Sequence, residues 1–523
     1  MVEKRIFFLP GILIGLVFAI IIFQSMSWGP WAYNDSSAYI SAARNLAVGN
    51  GSVILHTTGK IKQLTEFPPF YPFFLGNFGG AEGNYIAIIR IINTALFAAS
   101  IFFFYLIVYK LNNNVIIASI TTLMFASFRP VIEIFTGAMS ETLFIFLLFL
   151  AFYFLMQYFK DTASILWFVL LTLVSALLPI TRYAGILFAG LFGISILFLS
   201  QKQTLRWRTR NTIIFGMIAF LPIGIWAASL INKYDKFAGK NFNFGWSIFQ
   251  SVIRSLQSVL QVIKLWIPYT SEYADTWLAK ILFLFGALFF ILIIVMPFIQ
   301  LRWKKEQNHD PILAFILVIN LAILGYFGLI IFMHTTSSPP IDIIDRTLLP
   351  VFPLTLISAS YAITSLFRKK SQKLILSLGL ILMSAIFLRY QYLVTKPYLQ
   401  NLSENGIGYT AKKFIQSGTI NAIRNIDRDR ILISNLSGFV LFHDNRYPIF
   451  IENFPHYAFG AGDSYGEREF REANAALIIM RSEFENFYGT SADDLLTKVT
   501  ASHNVEYEDA ECIILSYDLP IQP

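Results

Sequence analysis

Two carboxylates and two guanidinia, Asp35, Glu141, Arg182 and Arg346, stand where apolar runs of membrane length meet polar loops. A charge held at a bilayer surface loses part of its hydration, so it is kept only with a partner or a task. The chemistry open to this set is anion binding beside acids: a guanidinium holds phosphate oxygens through its two-pronged fork, which suits a lipid-linked phosphate at the same depth. Asp35 opens the most informative stretch, Asn34 to Gly76, in which NDSSAYISAARNLAVGNG is followed by EFPPFYPFFLG. Tyr39, Glu66 and Tyr71 from that stretch join Arg182 and Arg346 as candidates for substrate binding, with Asp35 and Glu141 as the catalytic pair. Asp342 and Asp345 are further acids on the same face.

Each of these residues also has a plainer reading. In Ala-Met-Ser-Glu-Thr-Leu-Phe, Ser140 can cap a helix whose positive end Glu141 then complements. Asp35 can cap a helix from Ser36 to Val48, although the loop after it is too long and too aromatic to be a mere connection. Either arginine can snorkel to ordinary lipid phosphates, and Arg346 can pair with Asp345. The four charges on one face carry more weight together than any of them alone.

The elements that must position them are membrane helices. Of 523 residues, 56% are hydrophobic and 16% aromatic. Only 14% are charged, against about 25% in soluble domains, and the mean hydropathy is +0.60. Apolar runs of about 20 residues lie near Ile6–Met26, Tyr85–Tyr109, Val115–Phe135, Thr142–Phe159, Ser164–Pro179 and Gly185–Ser200. Others follow near Thr212–Ile231, Ile281–Ile299, Pro311–Phe332, Thr347–Phe367 and Leu374–Leu388. This is a polytopic α-helical membrane protein with about eleven crossings. The first run is too long for a cleaved leader and reads as a retained anchor.

Lys110, Lys160, Lys202/Arg206/Arg208/Arg210, Arg302/Lys304/Lys305 and Arg368/Lys369/Lys370/Lys373 then fall on one side, the cytoplasmic one, with the N-terminus. The same rule accounts for the net charge of +8, so no nucleic-acid partner is expected. Splitting Ser164–Ser200 at Pro179-Ile-Thr-Arg-Tyr keeps this order, because a single span there would turn the later basic clusters outward. The single Cys512 has no partner for a disulfide or a metal site.

Three outward loops are large: Ser27–Asn84, Asn232–Lys280 and His334–Arg346. Helical spacing of apolar residues in Ser37–Val48 and Trp246–Trp266 fits helices lying in the membrane interface or packed against neighbouring spans. After about Gln391, Gly, Asp, Asn and Arg rise. Short β-prone runs at Arg430–Ser434, Ala476–Met480 and Cys512–Tyr517 alternate with helix-like Gly408–Gln416 and Ser491–Val499. The division is therefore a membrane domain at 1–390 and a small extracytoplasmic α/β domain at 391–523.

Asp35 with Tyr39, Leu46 and Gly49-Asn-Gly51, then Pro68-Pro-Phe-Tyr-Pro72, Ser140-Glu-Thr-Leu, Thr181-Arg-Tyr and Asp345-Arg-Thr-Leu-Leu-Pro350 carry a resemblance. In order and side they resemble the GT-C glycosyltransferases of the protein O-mannosyltransferase and aminoarabinose transferase type, from the first span through about Pro353. That resemblance implies a GT-C-like bundle that transfers a sugar, with inversion, from a polyprenyl-phosphate donor to a lipid, glycan or protein acceptor on the outer face. The compact length and the absence of an endoplasmic-reticulum retention tail favour a bacterial plasma (inner) membrane, with membrane lipids around a multi-pass chain. By position, Asp35 matches the general base or acceptor-orienting acid and Glu141 the second acidic position. Arg346 matches the basic residue facing the departing phosphate, and Arg182 is a looser match.

Asp35 departs from the acidic pair of many relatives, being flanked by Asn34 and Ser36. A divalent cation shared by Asp35 and Glu141 across loops stays open. No Trp-Trp-Asp segment is present, which disfavours en bloc glycan transfer. A transporter or flippase of a lipid-linked glycan is the alternative, although it would place ionisable residues near the midplane rather than at the ends of spans.

Overall fold

The computed structural model describes residues 6–200, 203–234, 240–242, 248–268, 277–303, 310–366, 370–451 and 475–516. Lys202, Lys304, Lys305, Arg368, Lys369, Trp246 and Tyr517, used in the sequence reading, lie outside the described residues.

Each apolar run is a helix. In chain order the helices of the bundle and its loops are α1 (Leu9–Ser25), α2 (Asn34–Ala47), α3 (Phe70–Gly79), α4 (Tyr85–Asn112), α5 (Val115–Ser127) and α6 (Arg129–Phe135). They continue with α7 (Glu141–Lys160), α8 (Ile165–Thr181), α9 (Gly185–Leu199), α10 (Leu205–Tyr234) and α11 (Ile248–Trp266). The last are α12 (Trp277–Trp303), α13 (Pro311–Thr336), α14 (Asp345–Leu348), α15 (Val351–Leu366) and α16 (Lys370–Asn405). Among the described residues α4, α7, α10 and α13 are each long and apolar enough to cross a membrane alone. α5 and α6 pass the same test only as a pair, and they are bent by 63° at the break between them. α1, α8, α9 and α15 are shorter apolar helices, and α12 contains an apolar segment of that size.

Local sequence sets the breaks. Asn113 takes the left-handed conformation that ends α4, and the Asn114 side chain caps α5 by accepting from the amides of Ile116 and Ile117. Pro130 in the first turn of α6 fixes the bend after Phe128. The expected split after Pro179 falls at Arg182, which is extended and ends α8 before α9 begins at Gly185. A side chain at Gly185 would meet the Leu178 carbonyl carbon at 2.3 Å, so the turn is built around its absence. Inside the bundle, Asn320 donates to the carbonyls of Ile293 and Ile294 and accepts from Ser358 Oγ, tying α13 to α12 and α15.

α7 runs from Glu141 to Lys160, about 28 Å at 1.5 Å per residue, which sets its acidic first residue and its basic last residue at opposite ends. α2 is not an interfacial helix. Residues Ser36 to Ala43 are all buried, and the helix packs inside the assembly rather than on it. α11 differs, with Val259 and Val262 buried and Phe249, Ile253, Leu256 and Leu260 exposed.

Beyond the bundle a mixed five-stranded sheet runs in the order Ile449–Phe450, Leu432–Ser434, Ala476–Met480, Cys512–Ser516, Asn504–Glu508. The first three strands are parallel and the last two antiparallel. Helices Arg481–Tyr488 and Ala492–Ser502 cover one face through Phe484, Leu496 and Val499. The other face joins the main core, which continues without a gap from Phe104 and Phe149 in the bundle through Leu402 to Phe439 and Ile514. α16 crosses Gln391 without a break, so the change in composition there falls within a helix.

Candidate active site

Tyr33 stands just before α2 as its N-cap, and its extended backbone places its N–H on Ser36 Oγ at 3.2 Å. Asp35 therefore sits in the first turn, at the positive end of the helix. It faces Arg346 across the site, with Nη1 donating to Oδ2 at 3.1 Å. Arg346 is carried by the short α14, and Thr347 fixes that turn. Its Oγ1 accepts from the Ile344 amide and donates to the Asp342 carbonyl, while its own carbonyl accepts from Tyr326 of α13.

Glu141, the first residue of α7, is 4% exposed and receives both arginines on one oxygen. Arg182 Nη1 lies 2.7 Å from Oε1 and Arg346 Nε lies 3.4 Å from it. Arg182 reaches this point because α8 has just ended, and it also donates to Ser140 Oγ at 3.1 Å. Ser140 does not cap α7. Its hydroxyl instead joins Tyr39, Glu141 and Arg182. The four charges thus form one balanced chain, Asp35–Arg346–Glu141–Arg182, and burial of the central carboxylate is tolerable because two cations compensate it.

Of the other sequence candidates, Tyr39 and Tyr71 are buried behind this chain, their rings edge to face with centroids 5.1 Å apart. Burial, then the Glu141 charge, pushes the Tyr39 phenol well above its ordinary range, so it stays protonated and supports Ser140. Glu66 is placed apart, in an ion pair with Lys62 at 3.4 Å. Arg346 does not take Asp345 as its partner. Asp345 Oδ1 accepts instead from the Trp266 indole of α11 at 3.0 Å.

A cavity of about 520 Å³ opens beside Asp35 and Arg346. Its walls include Trp31, Tyr33, Glu133 and Asp345, and the contribution of Trp31, Tyr33 and Glu133 was not legible in the sequence. The one local signal was Arg129-Pro-Val-Ile-Glu133, an i,i+4 ion pair behind a helix-starting proline, which the structure forms at 3.4 Å. Trp31 is held by its indole on the Glu133 carbonyl and lies against Gly137, where a Cβ would come within 2.3 Å of the ring. Gly137→Ala should cost about 1–3 kcal/mol of stability, read as a lower melting temperature of the purified protein. Gly216→Ala in α10, with open space around the position, should instead hold or raise the melting temperature, because alanine is the better helix former.

Burial raises the Asp345 carboxyl above its ordinary value of 3.8, against the smaller opposing pulls of Trp266 and Arg129. Folding therefore favours the protonated form. Stability is fully present below the unfolded value and is lost as pH rises through the folded one. Asp345→Asn keeps an acceptor for Trp266 and removes the buried charge. It should melt higher than wild type at pH 7 and equally at pH about 3, where both side chains are neutral; equal melting at both pH values would refute the assignment.

The residues do not fit a shared divalent cation. A guanidinium stands between Asp35 and Glu141, and among the described residues no three of His, Cys, Asp and Glu are grouped to hold a metal.

No protein-family model matches the chain, and no curated protein does. Solved structures do. The structure of ArnT from Cupriavidus metallidurans bound to undecaprenyl phosphate superposes with a TM-score of 0.56 at 13% identity, covering 96% of this chain and 97% of that one. AglB, an archaeal oligosaccharyltransferase from Archaeoglobus fulgidus, in complex with an inhibitory peptide and a dolichol-phosphate, gives 0.57 at 11% identity, covering 99% and 75%. Both are GT-C proteins. At this level of identity the likeness concerns the fold alone, and the fold is the one these two structures share, as the sequence resemblance led us to expect.

Proposed function

We propose that this GT-C fold works as an integral-membrane glycosyltransferase, moving a sugar from a polyprenyl-phosphate donor to an acceptor on the extracytoplasmic face with inversion. The observation that carries the reading is Arg346, a guanidinium shared between Asp35 and Glu141 at the edge of a cavity. Sugar transfer of this kind needs a proton acceptor for the attacking hydroxyl and an anion clamp for the departing phosphate, and Asp35 and Arg346 supply one of each. The acceptor hydroxyl gives its proton to Asp35 as its oxygen attacks the anomeric carbon, and the sugar–phosphate bond breaks toward Arg346. Arg182 holds Glu141, and Glu141 in turn orients Arg346. Asp35 is 32% and Arg346 33% exposed in their side chains, so both are open to a substrate, whereas Glu141 at 5% is not.

Several further assignments rest on the same reading. The protein spans the plasma (inner) membrane about eleven times, with the N-terminus and basic helix ends in the cytoplasm. The sheet-bearing C-terminal part lies outside, and the domain division near Gln391 belongs to the proposal. Tyr39 and Tyr71 support the donor site from behind, while Glu66 lies apart from it. The acceptor is a lipid, a glycan or a protein, and the missing Trp-Trp-Asp segment favours transfer of a single sugar over a preassembled glycan.

The test is transfer from radiolabelled undecaprenyl-phosphate monosaccharides by the purified protein in sealed vesicles. Release of undecaprenyl phosphate with label on an acceptor is the expected result. Label that crosses the bilayer still attached to its lipid would establish a flippase instead.

A further inference from the structure

The described C-terminal part reaches across the fold to the helix that carries Asp35. Tyr409 is buried, with its ring against Phe439 and Phe442. Its amide donates to the Ala32 carbonyl at 2.9 Å, and its hydroxyl donates to Asn34 Oδ1 at 2.6 Å. These two bonds straddle Tyr33, the N-cap of α2. Three further features hold Tyr409 and α2 in that relation. His443, whose imidazole burial pushes down to about 4 and so keeps neutral, donates Nε2–H to the Tyr409 carbonyl at 2.9 Å. Gly408 pairs its backbone with Ala32 at a φ of +66°, where a Cβ would lie 2.2 Å from the Ala32 carbonyl. Gly438 accepts from Ser37 Oγ at 2.7 Å, and a Cβ there would lie 2.1 Å from Asn34 Oδ1 and 2.6 Å from the Tyr409 hydroxyl.

The first turn of α2 is therefore tied to the C-terminal part through Ala32, Asn34 and Ser37, besides the bundle contacts of Trp31 and Ser36, while the Asp35 carboxylate is held from the bundle by Arg346 alone among the ion pairs of the described residues. We propose that Tyr409 is a positioning residue for transfer: through Asn34 and Ala32 it fixes the helix start that aims Asp35. This rests on the assignment of Asp35 as the general base. A base must sit within hydrogen-bond reach of the proton it takes, and a displacement of about 1 Å is enough to cost two orders of magnitude in rate.

The experiment uses the full chain in vesicles with a polyprenyl-phosphate sugar that the wild type transfers. Tyr409→Phe keeps the ring and removes the one hydroxyl that reaches Asn34. It should lower kcat about 10- to 100-fold while leaving the donor KM and the melting temperature near wild type. Gly438→Ala, which forces Asn34 and Tyr409 apart while keeping the hydroxyl, should lower kcat in the same way. In an Asp35→Asn background Tyr409→Phe should cost nothing further, because there is no base left to aim. An unchanged kcat in Tyr409→Phe, or an equal loss with and without Asp35, overturns the positioning role and leaves the transferase reading standing. A wild type that transfers from no polyprenyl-phosphate sugar overturns that reading, and this role with it.

Discussion

Asp35→Asn should lower sugar transfer by about 10²- to 10⁴-fold, the usual worth of a general base, with donor binding retained. Asparagine keeps the size of the side chain and a carbonyl oxygen that can still accept from Arg346 Nη1, now 3.1 Å from Oδ2. Arg346 also retains Glu141, so the variant does not leave an unpaired cation. What it loses is the capacity to take a proton. Transfer rate and donor affinity measured on the same vesicles separate the two contributions. A rate equal to wild type would remove Asp35 from the chemistry and move the search to Glu141, the other acid of the cluster.

Glu141→Gln should have the largest effect on the protein itself. One carboxylate oxygen serves Arg182 at 2.7 Å and Arg346 at 3.4 Å, in a side chain only 5% exposed. Removing its charge leaves Arg346 with Asp35 alone and Arg182 with no ion pair among the described residues. Breaking a buried pair by deleting one partner costs about 3–5 kcal/mol, and the partial exposure of both arginines places the expected loss near the lower end. Transfer should fall as well, because the orientation of Arg346 is lost. A double-mutant cycle with Arg182→Gln distinguishes the pair from general damage. If Glu141 and Arg182 act together, the double variant is clearly more stable than the sum of the single losses predicts. Additive losses, or a single loss below about 0.5 kcal/mol, would mean that the cluster is a surface arrangement of little consequence.

Much of this architecture could be read from the chain, because the strongest signals act over whole elements. Apolar runs of membrane length became helices at every expected position, since a long apolar stretch has few other ways to satisfy its backbone in lipid. Asp35, Glu141, Arg182 and Arg346 were found by their place at the ends of those runs, and the structure brings all four together although Asp35 and Arg346 are 311 residues apart. The partners were not legible. Nothing local distinguishes Ser140 as a cap from Ser140 as the hydroxyl between Tyr39 and Arg182. Asp345 is adjacent to Arg346 in sequence, yet it turns to Trp266, which α11 delivers from a separate loop.

Helix α2 has apolar residues at the spacing of an interfacial helix, and the same spacing serves burial on several sides when the C-terminal part closes over it. The strands Ile449–Phe450 and Asn504–Glu508 were missed for opposite reasons. The first is two residues long, and the second is largely exposed with charges on it.

The bond between Asn34 and Tyr409 joins residues 375 apart, which bears on how the molecule is made. At roughly 5–20 residues per second, the helix bearing Asp35 emerges from the ribosome roughly 20 to 75 s before the tyrosine that fixes its start. Through most of synthesis the carboxylate is already at the membrane while its aim is unset. On the proposed positioning role, a chain that stalls before Tyr409 carries every charge of the cluster without the contact that aims Asp35, and synthesis through Tyr409 is the step that arms the site.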